Sequence, residues 1–397
     1  MDYTSERVKK LSESATIAMA RKARELKTQG KDIISLSLGE PDFNTPDFIK
    51  DAAKEGIDQN YSKYMPVNGY LDLREAISKK FSRDNDINYT ADQIVVSTGA
   101  KQSIANVVLS CVNPGDEVIV PAPFWVSYEE IIKMAEGTPV FIETSIENDF
   151  KITPSQLKNA ITDKTKIMIY SSPCNPSGSV YSKDELRSLA DVLVNYPLIT
   201  IVSDEIYEHI NFTSKYFSMG AFSDMYNQVV TVNGVSKSFA MTGWRLGYIG
   251  APIWLAKACT KIQGQFTSGT SGISQRAALA AISADPIVIN DMKTAFLKRR
   301  DFVLTELSKI KGIKINKPQG AFYVFPDISS FFNKSYKDYT IKNADDLTMY
   351  ILESAKVALV TGNAFGSPNC VRISYASSIE SLQIAVRRIA DSLSRLQ

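Results

Sequence analysis

The chain has 397 residues, 44% of them hydrophobic and 22% charged, and its 45 basic and 43 acidic side chains leave a formal net charge of +2. That length allows two hydrophobic cores, and the near-neutral balance, with no basic tail and no zinc-spaced cysteine set, gives a nucleic-acid role no footing. No apolar run approaches the ~20 residues that span a bilayer, and MDYTSERVKK at the amino terminus lacks the apolar stretch of a signal peptide, so a cytoplasmic protein without a membrane partner is expected.

In chain order, a helical pattern over 17–29 and a strand-like ISLSLG come first and are expected to pack with the carboxyl-terminal part. From 94 to 252 short apolar runs alternate with amphipathic helical stretches, the runs being IVVSTG, EVIVPAP, PVFIET, KIMIYSS, ITIVSDE, VVTVNG and LGYIGAP. This alternation predicts an α/β fold around a mainly parallel sheet flanked by helices, with ligands at the carboxyl ends of the strands. Past 285 the pattern changes to a long helix over 286–310, scattered strands at 321–325, 358–360 and 371–374, and a closing helix over 378–396. The predicted organisation is an arm with part of the small domain (1–45), a large α/β domain (46–285) and a smaller α+β domain (286–397).

The polar residues that follow the apolar runs carry the chemistry. Lys237 comes after VVTVNG and a turn of small residues, which would hold it at a strand's carboxyl end. A desolvated lysine near other cations is a usable amine nucleophile, whereas a lysine without that context reads as solvated. Ser236 and Arg245, the latter eight residues beyond Lys237, offer a hydroxyl and a cation to a phosphate. In STGAK the N–H groups of Gly99, Ala100 and Lys101 either receive a phosphate at a helix start or belong to a plain strand-to-helix turn. Asp204, ending ITIVSDE, suits a protonated pyridine nitrogen or a helix cap. Tyr207 and, in SSPCNPSG, Asn175 are placed to reach the same ligand, and Trp125 in APFW is either a flat apolar wall for it or a core side chain. Arg372 lies within a strand, where its charge requires a structural ion pair or a ligand carboxylate. Gly39 in LGEPDF lets a carboxylate approach the backbone or makes a turn before Pro41.

A nucleophilic lysine, a phosphate cradle and a carboxylate for a ring nitrogen together point to pyridoxal 5′-phosphate. The G-x-G-x-x-G and G-x-x-x-x-G-K-[ST] patterns are absent, which disfavours dinucleotides and nucleoside triphosphates. The single histidine, His209, leaves Ser-His-Asp triads very thin and two-histidine zinc sites impossible, so proton transfer falls to lysine, tyrosine or carboxylates. Cys111, Cys174, Cys259 and Cys370 are far apart, as suits structural thiols in a reducing compartment.

Taken in order, LGEPDF, STGAKQ, APFWVSY, SSPCNPSG, VSDEIYE, SKSFAMTGWRLGY, GAFYVF and VRISYA resemble the motif series of fold-type I, class I/II aminotransferases over nearly the whole chain. The resemblance is closest to the bacterial aspartate aminotransferase branch. It implies a seven-stranded, mainly parallel sheet, a covalent bond between the cofactor and Lys237, Asp204 on the pyridine nitrogen, and Asn175 and Tyr207 on the phenolate oxygen. It also implies that Trp125 stacks on the ring and that Gly99, Ala100, Lys101, Ser236 and Arg245 hold the phosphate. Arg372 and Gly39 would hold the α-carboxylate of the substrate, which Trp125 and Asn175 also border. Tyr64 in SKYMPVNGY, by itself a half-buried aromatic, would reach the cofactor phosphate of a second subunit, so a homodimer with shared active sites is implied.

The implied reaction moves the amino group of L-aspartate to 2-oxoglutarate in ping-pong fashion, giving oxaloacetate and L-glutamate, with Lys237 carrying the Cα proton. Lys101 discriminates among substrates, because in this branch its side chain meets the distal carboxylate. Ser14, Ala15 and Thr16 match the segment that closes over that side. The loop QGQFTSGTSG lacks the arginine that another aspartate branch supplies from the partner subunit, and members that also use prephenate tend to carry a basic residue where this chain has Ser12. An aromatic, alanine or prephenate aminotransferase, a carbon–sulfur lyase and a non-catalytic pyridoxal phosphate-sensing module are the alternatives.

Overall fold

The computed structural model describes residues 3–397. Its main sheet has seven strands: β1 (Ile94–Ser97), β2 (Glu117–Pro121), β3 (Thr138–Ile142), β4 (Thr165–Ser171), β5 (Thr200–Asp204), β6 (Val229–Gly234) and β7 (Gly247–Gly250). Each falls in one of the apolar runs, β3 and β4 starting one residue ahead of theirs. Their spatial order is β1-β7-β6-β5-β4-β2-β3. Only β7 is antiparallel to its neighbours, β1 and β6, and all other pairings are parallel.

The strands read as unbroken apolar runs because both faces of the sheet are covered. Val118, Val120, Ile167, Ile169 and Val202 pack into one layer with Ile104 and Val107 of helix Ala100–Cys111 and Leu255 of helix Ile253–Phe266. The intervening Ile119, Met168, Tyr170 and Ile201 pack into the opposite layer with Leu157, Leu186 and Leu189 from helices Pro154–Ala160 and Lys183–Leu193. Each such fully buried side chain contributes about 1.5–3 kcal/mol.

The expected helix over 286–310 is divided. Asp285 accepts the Ile287 N–H and starts a 3-10 turn, Pro286–Ile289, before helix Asn290–Leu307. The expected strand at 358–360 also divides, at Leu359. Val357–Ala358 pairs in parallel with Ile34–Ser35, joining the amino-terminal segment to the carboxyl-terminal part, while Val360–Thr361 pairs with Val371–Ser374. Val371–Ser374 is the middle strand of a three-stranded antiparallel sheet completed by Tyr323–Val324. The helix expected over 17–29 spans Ala15–Thr28, after a single turn at Glu6–Lys9, and the closing helix spans Ile379–Leu393. Among the described residues no helix is long and apolar enough to cross a membrane.

Candidate active site

The carboxyl ends of β1, β4, β5 and β6 share one edge of the sheet, and antiparallel β7 begins there, with Gly247 opposite both Ser97 and Gly234. Arg245, just before β7, therefore arrives where the residues that follow the parallel strands also arrive. A cavity of ≈ 290 Å³ opens at this edge, lined by Gly39, Ala100, Lys101, Trp125, Asn175, Asp204, Tyr207, Ser236, Lys237, Arg245 and Arg372. The cofactor and substrate residues selected from the sequence are all there except Gly99, which sits immediately behind as the N-cap of helix Ala100–Cys111, and Tyr64, and of the segment 14–16 Ala15 turns away to pack with Phe325 and Phe365. Tyr64 is 98% exposed, so the half-buried reading is corrected. The turn between helices Asp47–Asp58 and Leu71–Asn85 projects it outward, while the neighbouring Met65 packs toward Gly269.

Gly99 has φ +88°, and a Cβ there would lie 2.5 Å from Nη2 of Arg245. The glycine thus keeps space open between a guanidinium and the first turn of a helix, where the Ala100 and Lys101 N–H groups have no backbone acceptor among the described residues. Arg245 is held by donating from Nη1 to the Thr242 carbonyl at 2.9 Å. Two orphan amides, a guanidinium and the Ser236 hydroxyl around an open space suit a phosphate group.

Lys237 donates from Nζ to the Gly39 carbonyl at 2.6 Å and lies 5.9 Å above the Tyr207 ring. Burial, followed by the nearby charges of Arg372 and Arg245, pushes its amine down to about 8. Arg372 is 2% exposed. It donates from Nη1 to Asn175 Oδ1 at 2.9 Å and from Nη2 to the Ser37 carbonyl at 2.5 Å, and it packs between the rings of Tyr323 and Phe365. Its Nε has no partner, and no described carboxylate forms an ion pair with it. The ion-pair reading of Arg372 is thereby removed, and the buried guanidinium remains uncompensated.

Asp204 is buried, which raises its pKa, and it accepts a hydrogen bond from the Tyr128 hydroxyl at 2.6 Å. Lys101 Nζ stands 5.0 Å over the Trp125 ring, and its pKa is lowered by desolvation and then by the charge of Arg245. Lys101, Lys237, Arg245 and Arg372 thus face a cavity whose only lining carboxylate among the described residues is Asp204. Such a balance favours a ligand with several negative charges.

Sequence reasoning missed two residues that the fold adds. Tyr128 holds Asp204, and Tyr323 bonds the Tyr207 hydroxyl at 2.8 Å, stacks on Arg372 and occupies with its hydroxyl the space a side chain at residue 39 would need. Both lie inside quoted motifs, APFWVSY and GAFYVF, yet their partners are remote in the chain. Ser14 and Thr16 line the cavity, as does Ile17.

The segment carrying Asp204 and Tyr207 turns Glu205 and Glu208 the other way. Asn85 Nδ2 donates to Glu205 at 3.1 Å and to Glu208 at 2.7 Å, Lys80 pairs with Glu208, and His209 Nε2 is 3.2 Å from Glu208. The sole histidine therefore belongs to a buried charge network and not to the cavity wall. All four cysteines are free.

A buried, pKa-lowered lysine and an uncompensated arginine at the carboxyl edge of this sheet belong with group-transfer chemistry on small acids. The chain is a member of the aminotransferase class I and II family, which matches residues 31–389. It is 46% identical over 394 residues to an aspartate/prephenate aminotransferase of Nitrosomonas europaea, covering 98% of this chain and 99% of that one. It is 45% identical over 394 residues to a bifunctional aspartate aminotransferase and glutamate/aspartate-prephenate aminotransferase of Petunia hybrida, covering 98% of this chain and 82% of that one. Among solved structures, the aspartate aminotransferase from Rhizobium meliloti superposes with a TM-score of 0.96 at 38% identity, covering 100% of both chains. That of Thermus thermophilus with maleate superposes with a TM-score of 0.93 at 39% identity, covering 99% of this chain and 100% of that one.

Proposed function

We propose that this protein is a pyridoxal 5′-phosphate-dependent aspartate aminotransferase, passing the amino group of L-aspartate to 2-oxoglutarate to give oxaloacetate and L-glutamate. The observation that carries the reading is Arg372, buried with no carboxylate partner, in the same cavity as a lysine whose amine is held near neutrality. A resident α-amino acid supplies the missing carboxylate.

The residues present fit the cofactor. Gly99, Ala100, Lys101, Ser236 and Arg245 would hold its phosphate, Asp204 its ring nitrogen, Asn175 and Tyr207 its phenolate oxygen and Trp125 its face. Bound there, the group supplies an electron sink that acidifies the substrate Cα proton. Lys237, partly neutral near pH 8, is the base that takes that proton and the acid that returns one. Arg372 orients the α-carboxylate beside Gly39, and the apolar ring of Trp125 helps exclude water from the reacting face. Lys101 would bind the distal carboxylate of a dicarboxylic substrate, and Ser14, Thr16 and Ile17 close that side.

Dicarboxylate specificity is supported by the four-to-one excess of cationic over anionic side chains on the wall among the described residues and by the Thermus thermophilus relative's having been solved with maleate. Relatives named for both aspartate and prephenate favour prephenate as a second acceptor partner. The same reading assigns 46–285 to a cofactor-binding domain, and 286–397 with the arm 1–45 to a small domain. It also assigns a cytoplasmic homodimer in which Tyr64 enters the neighbour's site, supported by the exposure of Tyr64 (98%), Phe266 (69%) and Ile57 (60%).

The test is the absorbance of the cofactor-loaded protein before and after L-aspartate, then after 2-oxoglutarate, with L-alanine, L-phenylalanine and prephenate in parallel. Conversion to the amine form of the cofactor by aspartate and reversal by 2-oxoglutarate is expected. No conversion by aspartate, with conversion by another amino acid, would reject the substrate. Absence of a bound-cofactor band would reject the enzyme class.

A further inference from the structure

The two oxygens of Asp204 are served differently. Oδ1 accepts the Ile206 N–H at a long 3.3 Å, while Oδ2 accepts the Tyr128 hydroxyl at 2.6 Å. Tyr128, the second residue of helix Ser127–Met134, is 1% exposed, and its ring stands edge-on to Trp125 with centroids 5.5 Å apart and planes at 86°. The apolar packing around this ring would be met equally by phenylalanine. The hydroxyl is what requires an account, because a buried phenol must place its proton on an acceptor, and here that acceptor is the carboxylate at the floor of the cavity.

We propose that Tyr128 is a positioning residue of the active site: its hydroxyl fixes the carboxylate of Asp204 in the orientation that faces the cofactor's ring nitrogen, and its ring sets the plane of Trp125. This rests on the reading of Asp204 given above. An ionised carboxylate has about four acceptor sites. The short bond from Tyr128 and the weak one from Ile206 occupy two and leave the others for a donor in the cavity. Without the hydroxyl, Oδ2 is buried with no partner, and the carboxylate relieves this by rotating or by taking a proton. Either response weakens the negative charge opposite the ring nitrogen. The step that depends on that charge slows, while the substrate's carboxylates are still held by Arg372 and Lys101 on other elements.

Tyr128→Phe keeps the ring and removes the donor. For this variant the dissociation constant of pyridoxal phosphate from the apoprotein, read by fluorescence quenching, is expected to rise about tenfold, and kcat with L-aspartate to fall about 10–100-fold, with KM for aspartate within about threefold of the parent. Tyr170→Phe is the control. It removes another buried hydroxyl, one that accepts from Ser203 Oγ at 2.8 Å, does not line the cavity and makes no bond to Asp204, and all three quantities should stay at parental values. Parental values in Tyr128→Phe, or equal losses in Tyr170→Phe, would overturn the proposal. Asp204→Asn separates it from the reading beneath it. Undiminished turnover in Asp204→Asn would remove Asp204 from the mechanism, whereas a large loss there with a parental Tyr128→Phe would reject Tyr128 alone. Adding Tyr128→Phe to Asp204→Asn should produce little further loss, and fully additive losses would count against the coupling.

Discussion

Arg372→Lys isolates what the guanidinium does beyond carrying a charge. Arginine has five N–H donors and lysine three. One Nη1 proton goes to Asn175 Oδ1 and one Nη2 proton to the Ser37 carbonyl, and Nε is unpartnered, so three donors remain, enough to meet both oxygens of a carboxylate. A lysine that served the same two acceptors would have one donor left. The substitution therefore removes one charge-assisted hydrogen bond to the ligand, about 1.5–3 kcal/mol, or about 10–150-fold in kcat/KM. Because every α-amino acid presents the same carboxylate, L-aspartate and L-alanine should lose the same factor in steady-state or single-turnover assays. A loss below about threefold, or one confined to aspartate, would refute the assignment of Arg372 to the α-carboxylate.

Lys101→Ala should do the opposite and separate the two substrates. An ion pair at 4 Å in an effective dielectric of about 20 is worth about 4 kcal/mol, and discounting by about half or more for exposure leaves about 10–30-fold for aspartate against a change within about threefold for alanine. Equal losses would assign Lys101 to the phosphate or the fold. Lys237→Ala should abolish multiple turnover yet retain cofactor, and in the free parent the Lys237 amine should react with an acylating reagent with a midpoint near pH 8, a midpoint above pH 10 being inconsistent with its surroundings. Gly99→Ala forces a side chain into a left-handed conformation and against Arg245, so it should weaken cofactor binding at least about tenfold and cost the apoprotein about 1–2 kcal/mol in a denaturant melt. Parental cofactor affinity in that variant would deny the cradle. Burial and the charge of Glu208 push Glu205 up to about 8 from an ordinary 4.5. The native state then holds a proton that the unfolded chain releases, so this contribution to stability is complete below about pH 4.5 and is lost as pH rises through about 8. Glu205→Gln should remove that slope, and its stability relative to the parent should improve between pH 5 and 8. A constant difference across that range would contradict the shift.

The sheet was legible because a strand covered on both faces is an unbroken apolar run closed by glycine, proline or a small polar residue. The site was legible for the same reason, since Asp204 and Lys237 sit where such runs end. Short strands were less so. Leu359 looks like the middle of one strand, and only tertiary partners reveal that Val357–Ala358 and Val360–Thr361 join different neighbours. Tyr128 and Tyr323 were quoted within motifs without roles because their hydroxyls bond residues 76 and 116 positions away, respectively, and no local periodicity encodes such a pairing. The projecting position of Tyr64 was likewise invisible to propensity: a tyrosine in a turn gives no sign of which way it faces.

Ser37 and Gly39 have a further effect on binding. In the free protein their backbone oxygens already take one proton each from Arg372 and Lys237, so neither cation enters binding with all its donors free. Arg372 keeps its bond to Ser37 and offers its other donors, whereas a ligand that draws the Lys237 amine away gains only the difference between its own contact and the bond to Gly39, whose released carbonyl must find water or another donor. Poor ligands are rejected by that exchange even when they fit. A substitution that shifts the backbone of residues 37–39 should therefore alter the apparent affinity for all amino acids together, although none of its side chains need touch them.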